Sequence, residues 1–352
     1  MADFANRITA WQKIHGRHDL PWQRTRDPYC VWLSEVMLQQ TQVATVIPYY
    51  ERFMQRFADV RALAAAPNEA VMACWAGLGY YSRARNLHRC AQQIVATYGG
   101  KFPRSVEQLA QLPGIGRSTA AAIAALAYGE RAAILDGNVK RVLARHFAIE
   151  GYPGNSKVER VLWTRAESLM PAAEIEAYTQ GLMDLGATVC GRGHPLCPAC
   201  PVNDTCVARR ELTIDRLPAP RPAKYRPVRS ATVLAMHDAS GAVLLELRPP
   251  AGIWGGLLSL PEFETEATEE AIVAAVNARY GLHIAMTEAL GEIRHEFTHY
   301  TYLMRPRCAR VIGAAGIASS SLRRVAEEEL DAAPLPAPIR RLLLHLALPV
   351  LP

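Results

Sequence analysis

The chain has 352 residues, half of them hydrophobic and 20% charged, which describes a globular protein with room for two ordinary cores of ~100–200 residues each. No apolar run is long and charge-free enough to span a bilayer, and the stretch Met1 to Trp11, with Asp3 inside an interrupted apolar pattern, is unlike a signal or transit peptide, so a soluble, cytoplasmic protein is expected. Residues 1–226 carry 28 Lys and Arg against 19 Asp and Glu while residues 227–352 carry 11 against 14, so the first part alone has the sign of a polyanion binder, a solvated basic surface being the other explanation.

Residues 1–211 read as helix after helix, Ala-rich and apolar at three- and four-residue spacing, and predict an all-α domain. The pattern gives Val31–Phe57 broken by Pro48, then Glu69–Ala76, Arg83–Tyr98, Ser118–Tyr128 and Lys157–Ser168, with Gly and Pro at the turns. In the first of these, Glu35 is a lone acid among Val31, Trp32, Leu33 and Val36, and Gln39, Gln40 and Thr41 are expected to continue its helix. An acid is expensive to bury ionised, so its pKa should rise and it could donate a proton; a surface Glu beside an apolar face is the plainer alternative.

Gly77-Leu78-Gly79-Tyr80-Tyr81-Ser82-Arg83-Ala84-Arg85 joins a flexible loop to aromatic and basic residues that could wedge into a base stack and neutralise phosphates, or else simply bury a Tyr pair at a helix start. Leu112-Pro113-Gly114-Ile115-Gly116-Arg117-Ser118 sets a tight Gly-rich turn before a helix, where backbone N–H groups and the helix dipole can hold a phosphate without reading a base. An ordinary αα-hairpin has the same outline. Asp136, in Ile134-Leu135-Asp136-Gly137-Asn138-Val139-Lys140-Arg141, suits a helix N-cap, and a carboxylate facing such a hairpin could also stabilise a cationic sugar.

Cys190, Cys197, Cys200 and Cys206 are spaced C-x6-C-x2-C-x5-C, close enough in sequence to surround one metal centre. Disulfides suit a secreted chain. Zinc sites pair two short C-x2-4-C steps, and only Cys197 and Cys200 form one. A cubane iron–sulfur cluster accepts uneven spacing and ranks first, with zinc second. Cys30, Cys74, Cys90 and Cys308 are scattered and read as buried thiols.

Residues 212–228, with four prolines and no periodicity, predict an extended linker. Beyond it, strands are expected at Ser230–Met236 and Ala242–Leu247 around a turn at Asp238–Gly241, a helix at Glu269–Tyr280, an alternating strand at Phe297–Met304 and a closing helix at Ile339–Leu348. Residues 229–352 therefore predict a second, α+β domain.

Taken together, these motifs resemble adenine DNA glycosylases of the MutY type, within the helix-hairpin-helix glycosylase superfamily. The matching residues are Leu20-Pro21-Trp22, the Glu35 segment, Gly79-Tyr80-Tyr81, the hairpin, Leu135 to Arg141 and the four clustered cysteines. The resemblance implies an all-α helix-hairpin-helix catalytic domain with a 4Fe-4S cluster loop, then a Nudix-like domain. Glu35 and Asp136 would be catalytic, with Asn138, Leu20 and Trp22 lining the site. Gln40 and Thr41 would contact the displaced pair, Leu78 and Arg83 the DNA, and Tyr80 would wedge beside the oxidised base. Gly114, Gly116 and Ser118 would hold the DNA backbone.

Endonuclease III shares the hairpin, the aspartate and the cysteine spacing, but carries a Lys that attacks the sugar where this chain has Ser118. The resemblance thus implies a monofunctional glycosylase acting on duplexes with adenine opposite 8-oxoguanine or guanine. The alternatives are an endonuclease III-like glycosylase/lyase and a non-catalytic damaged-DNA binder. Trp254-Gly255-Gly256-Leu257 and Phe297-Thr298-His299 match the module that recognises 8-oxoguanine, with Thr298 where the family usually has Ser. A Nudix pyrophosphatase would need metal-binding Glu side chains where Ala274, Ala275, Ala278 and Arg279 stand. A monomer is expected, with a sliding clamp or other repair proteins as candidate partners.

Overall fold

Short polar residues start several of the helices. Asp27 accepts the Tyr29 N–H at 2.8 Å ahead of helix Pro28–Leu38, Asn155 accepts that of Lys157 at 2.9 Å ahead of Ser156–Ser168, and Asp136 accepts that of Val139 at 2.8 Å ahead of Gly137–His146. The structure is a computed structural model and describes residues 2–223, 225–249, 252–314 and 322–347. Lys224 of the expected linker and Leu348 of the expected closing helix lie outside the described residues.

The helix expected to run from Val31 to a break at Pro48 ends instead at Leu38, and a second helix, Val43–Arg56, runs through Pro48. Gln40 has φ 59°, a left-handed conformation that no α-helix continues, so Gln39 to Thr41 form a turn. Pro48 lies in the second turn of its helix and removes one ladder hydrogen bond, while burial of Val46, Tyr50 and Phe53 holds that helix in place.

Two compact units result: Met1–Ala65 with Asn86–Ala223, and Ala66–Arg85 with Lys224–Pro352. Residues 66–85, expected within the first domain, thus group with the C-terminal sheet.

In the first unit, Leu135, Val139, Val142 and Leu143 pack with Leu162 and Ala166, with Tyr178, Leu182 and Leu185, and with Ile8 of helix Ala2–His15. Helix Arg117–Tyr128 buries the run Ala120 to Ala125, whose small side chains let it approach helices Pro28–Leu38 and Ile175–Asp184 closely. Asp184 is fully buried and accepts from Arg17 Nε (2.8 Å), Arg17 N–H (2.9 Å) and Gln180 Nε2 (2.9 Å). Asp184→Ala would strand the Arg17 guanidinium and is expected to destabilise the unit by roughly 3–5 kcal/mol, measured by denaturant unfolding. The first half of the expected linker is packed here too: Leu217 is buried and its carbonyl accepts from Arg145 Nε at 2.8 Å.

In the second unit the strands are β1 (Val228–His237), β2 (Val243–Leu247), β3 (Leu258–Ser259), β4 (Glu262–Phe263), β5 (Leu282–Ala289), β6 (Ile293–Glu296), β7 (Thr301–Ala314) and β8 (Leu322–Val325). The sheet order is β3-β2-β1-β7-β5, with β4 on β1, β6 on β7 and β8 on β2. β1 and β7 run parallel from Val228 opposite Thr301 to His237 opposite Arg310, and the other pairs are antiparallel. Helix Glu269–Tyr280 lays Ile272, Val276 and Tyr280 on Leu234, Met236, Leu282 and Ala309. The strand expected at Phe297–Met304 begins only at Thr301, because Phe297 N–H donates to Tyr300 O at 2.9 Å and closes a hairpin turn between β6 and β7. Among the described residues no helix is long and apolar enough to cross a membrane.

Candidate active site

Glu35 sits one turn before the end of helix Pro28–Leu38, flanked by buried Ser34 and Val36. Burial first, and the charge of the nearby Asp136 second, together raise its carboxyl pKa to about 7. Asp136 is also raised by burial, against the N–H groups of Val139 and Asn138 and the charges of Arg141 and Lys140, all of which favour its ionised form. The structure therefore brings the two acids within electrostatic reach and gives them different surroundings. Among the described residues no cation holds the Glu35 charge, whereas Arg141 and Lys140 favour that of Asp136, which is the N-cap as well.

Behind Asp136, Asn138 packs against Gly186 so closely that a Cβ on Gly186 would meet Asn138 Cβ at 2.5 Å. Asn138 Oδ1 accepts from Arg141 Nη2 at 2.9 Å; the same nitrogen reaches Gly186 O at 2.6 Å, and Arg141 Nε reaches Cys190 O at 2.7 Å. One turn on, Arg145 Nη1 donates to Gly191 O at 2.7 Å and lies 3.4 Å from the Cys190 sulfur. These two buried arginines join the acid-bearing helix start to the cysteine loop. Arg141→Met would take a donor from the buried Gly186 carbonyl and from the part-buried Asn138 and Cys190 oxygens, and is expected to cost roughly 3 kcal/mol, lowering Tm by roughly 6–12 °C in a thermal melt.

The four clustered cysteines line one cavity, together with Arg145, Val189, Pro195, Asn203, Arg209 and Ile214. Burial pushes the Cys200 thiol up to about 11, and the neighbouring Cys190, Cys206 and Cys197 push it in the same direction. Among the described residues no three His, Cys, Asp or Glu side chains close on one point as ligands of a single ion would. Of the scattered cysteines, Cys30, Cys90 and Cys308 are buried, and Cys74, expected to be buried, is partly exposed.

The hairpin forms as expected. Gly114 has φ 79°, which favours glycine, and a Cβ there would meet Asn86 Cβ at 2.7 Å; at Gly116, the N-cap of helix Arg117–Tyr128, a Cβ would meet nothing. Ser118 Oγ accepts the Leu135 N–H at 2.9 Å, tying the hairpin helix to the residue before Asp136. Leu20 and Trp22 are buried, Trp22 edge-on to Tyr50 at 5.3 Å. Gln40 is exposed on its turn, and Thr41 is half-buried.

In the second unit, Leu78 and Tyr81 are buried and Tyr80 is 46% exposed at φ 50°. Arg83, expected at a phosphate, is buried: its Nη2 donates to Leu78 O (3.3 Å) and Gly79 O (3.2 Å), and its guanidinium lies over the Trp75 and Tyr80 rings. It shapes the turn from within. Thr298 and His299 are exposed at the tip of the β6–β7 turn, over half-buried Phe297, which meets Trp254 at 5.4 Å. In helix Glu269–Tyr280 the acids lie in the first turn, where Glu269 pairs with Arg307.

Arg141, Arg145 and Gly186 are the site residues that sequence reasoning left unassigned. The available signal was two arginines four apart in a helix that also carries Val139, Val142, Leu143 and Ala144.

Residues 33–168 match the family described as HhH-GPD superfamily base excision DNA repair protein, and residues 232–345 match the NUDIX domain. The chain is 35% identical over 303 residues to the adenine DNA glycosylase of Buchnera aphidicola subsp. Baizongia pistaciae (strain Bp), covering 86% of this chain and 85% of that protein. It is 38% identical to the adenine DNA glycosylase of Homo sapiens, over 84% of this chain and 65% of the human protein. Among solved structures, a thermostable thymine-DNA glycosylase superposes with TM-score 0.54 at 30% identity, over 59% of this chain and 95% of that one. With its helix-hairpin-helix and Nudix-like parts both matched, and full-length relatives aligned over most of its length, this chain belongs to the adenine DNA glycosylases.

Proposed function

We propose that the protein removes adenine mispaired with 8-oxoguanine or guanine from duplex DNA by hydrolysing its N-glycosidic bond, and leaves an abasic site. The observation that carries this reading is the pair of acids within electrostatic reach: Glu35 is raised to about 7, and Asp136, also raised by burial, has N–H groups and two cations that favour its ionised form. The target adenine is rotated out of the stack, since its glycosidic bond is out of reach inside the duplex. Protonated Glu35 gives its proton to an adenine ring nitrogen and makes the base a better leaving group. Ionised Asp136 stabilises the cationic sugar, and Glu35, now ionised, takes a proton from the attacking water. The N–H groups around Gly114 and Gly116, at the start of helix Arg117–Tyr128, hold the DNA backbone. Ser118 offers no amine for a Schiff base, so the strand is left intact.

Cys190, Cys197, Cys200 and Cys206 would hold a 4Fe-4S cluster; their lining of one cavity and their uneven C-x6-C-x2-C-x5-C spacing support this reading over zinc, whose sites pair two short C-x2-4-C steps. When bound, the cluster supplies a rigid cross-link of the loop, and hydrolysis moves no electron through it. Arg141 and Arg145 carry that rigidity to the Asn138 end of the acid-bearing helix. Thr298 and His299 contact the oxidised partner base, Thr298 through its hydroxyl as donor and acceptor.

The test is incubation with duplexes carrying adenine opposite 8-oxoguanine, guanine or thymine, scoring free adenine and strand breaks before and after alkali. Adenine release from the two mispairs, with breaks only after alkali, is the expected result. Breaks without alkali would indicate a lyase, and binding without release a non-catalytic damage binder; either overturns the proposal.

A further inference from the structure

We infer that Arg85 is a positioning residue, tying the Leu78–Tyr81 turn to the Trp254–Gly256 turn so that the C-terminal unit sets the placement of Tyr80. The inference rests on the reading above, in which Tyr80 wedges at the mispair and the Phe297–His299 turn meets the oxidised base.

Residues 66–85 belong to the same compact unit as the C-terminal sheet, although the chain continues from them into the other unit along helix Ser82–Tyr98. Arg85 and Arg323 both fasten this segment to the sheet-bearing part. Arg85 Nη1 donates to Gly255 O at 2.6 Å, and Arg323 Nη2 donates to Glu69 at 3.1 Å. The second is an exposed ion pair, of a kind that contributes little. The first is a part-buried, charge-assisted bond to a backbone carbonyl, and its geometry fixes one turn against another.

Both turns are strained at an aromatic residue. Tyr80 has φ 50° and Trp254 has φ 55°, a conformation that bulky side chains rarely adopt and that persists only where the surroundings impose it. Around Tyr80 the surroundings are Arg83, which holds the carbonyls of Leu78 and Gly79, and Trp75, whose Nε1 donates to Gly79 O at 3.0 Å. Around Trp254 they are His295, Phe297 and Tyr302, at 5.7, 5.4 and 6.0 Å between ring centroids.

Arg85 is the link between these two sets. Its own N–H donates to Tyr81 O at 3.2 Å, so its backbone is locked to the residue after Tyr80, while its guanidinium holds the residue after Trp254. A continuous path of bonded and packed groups therefore runs from Tyr80 through Tyr81, Arg85, Gly255 and Trp254 to Phe297. A partner base that shifts the Phe297–His299 turn would shift the wedge with it.

The experiment measures single-turnover adenine release opposite 8-oxoguanine and opposite guanine for Arg85→Met and Arg85→Lys, each with Tyr80 intact and with Tyr80→Ala. Arg85→Met is expected to lower the preference for the 8-oxoguanine partner by about tenfold or more, the effect of losing one charge-assisted hydrogen bond. Lys, which can still donate to the carbonyl, restores part of the preference. In the Tyr80→Ala background Arg85→Met causes no further loss of preference, because the two residues act as one unit. A preference within about twofold of wild type, an equal fall of both rates accompanied by a lower melting temperature, or a further tenfold loss on top of Tyr80→Ala would each overturn the inference. Equal release by the wild type opposite both partners would likewise overturn the inference, whereas wild-type protein that releases no adenine would overturn the function on which it rests.

Discussion

Glu35→Gln is expected to slow adenine release by roughly 10²–10⁴-fold while leaving binding to the mispaired duplex near wild type, since general acid–base catalysis contributes about that much. The substitution keeps the side chain's size and its ability to donate a hydrogen bond, and removes only the proton that moves. Helix Pro28–Leu38 should be unaffected, because the buried residues that hold it are Trp32, Leu33, Val36 and Met37 rather than Glu35. Gln also removes a carboxyl that burial and Asp136 both penalise when ionised, so thermal stability at neutral pH should be equal or higher. A slow but stable protein is the signature of a catalytic acid. A residue needed for packing would lose stability together with rate.

Cys200→Ser is expected to have the largest effect on the protein itself. Metal-centre binding is also folding free energy, and a loop closed around four thiolates has little to hold it once one is gone. Burial pushes the Cys200 thiol up to about 11, so a thiolate there is unfavourable unless a cluster holds it. Purified Cys200→Ser protein should contain little iron and lack the visible absorption of a cluster. The loop's ties to Arg141 and Arg145 should loosen, and most adenine release should be lost with them. Full iron content in this variant would show that Cys200 is not a ligand.

The parts of this architecture that depend on short-range patterns were legible in the sequence. Cysteine spacing, the Gly114–Gly116 turn and the three- and four-residue apolar rhythm each reflect constraints acting within about a turn of helix or one loop. The helices expected at Arg83–Tyr98, Ser118–Tyr128 and Lys157–Ser168 accordingly appear within a residue of their expected starts, and Glu269–Tyr280 has the expected bounds. What escaped was set by contacts distant in sequence. Pro48 has the stronger local tendency to break a helix, yet the break falls at Gln40, where the backbone turns left-handed. Arg141 and Arg145 were left without a role because a sequence does not show that backbone carbonyls of residues 186, 190, 191 and 217 converge on them. The grouping of residues 66–85 with the C-terminal sheet depends on packing across more than 100 residues, beyond any local pattern. Glu35 and Asp136 lie between these extremes: each was visible as an acid in an apolar setting, but their mutual influence required the fold.

The central claim is that Glu35 works as an acid whose pKa lies near 7, and the pH dependence of single-turnover adenine release tests it most directly. The working form is protonated, so the rate should fall as pH rises through about 7, and below that pKa it should hold until Asp136 takes up its own proton, with the residual rate of Glu35→Gln lacking the fall near 7. A wild-type rate that stays level to roughly two units above that pKa, where a group of this kind is almost wholly ionised, would contradict the assignment of Glu35 as the proton donor.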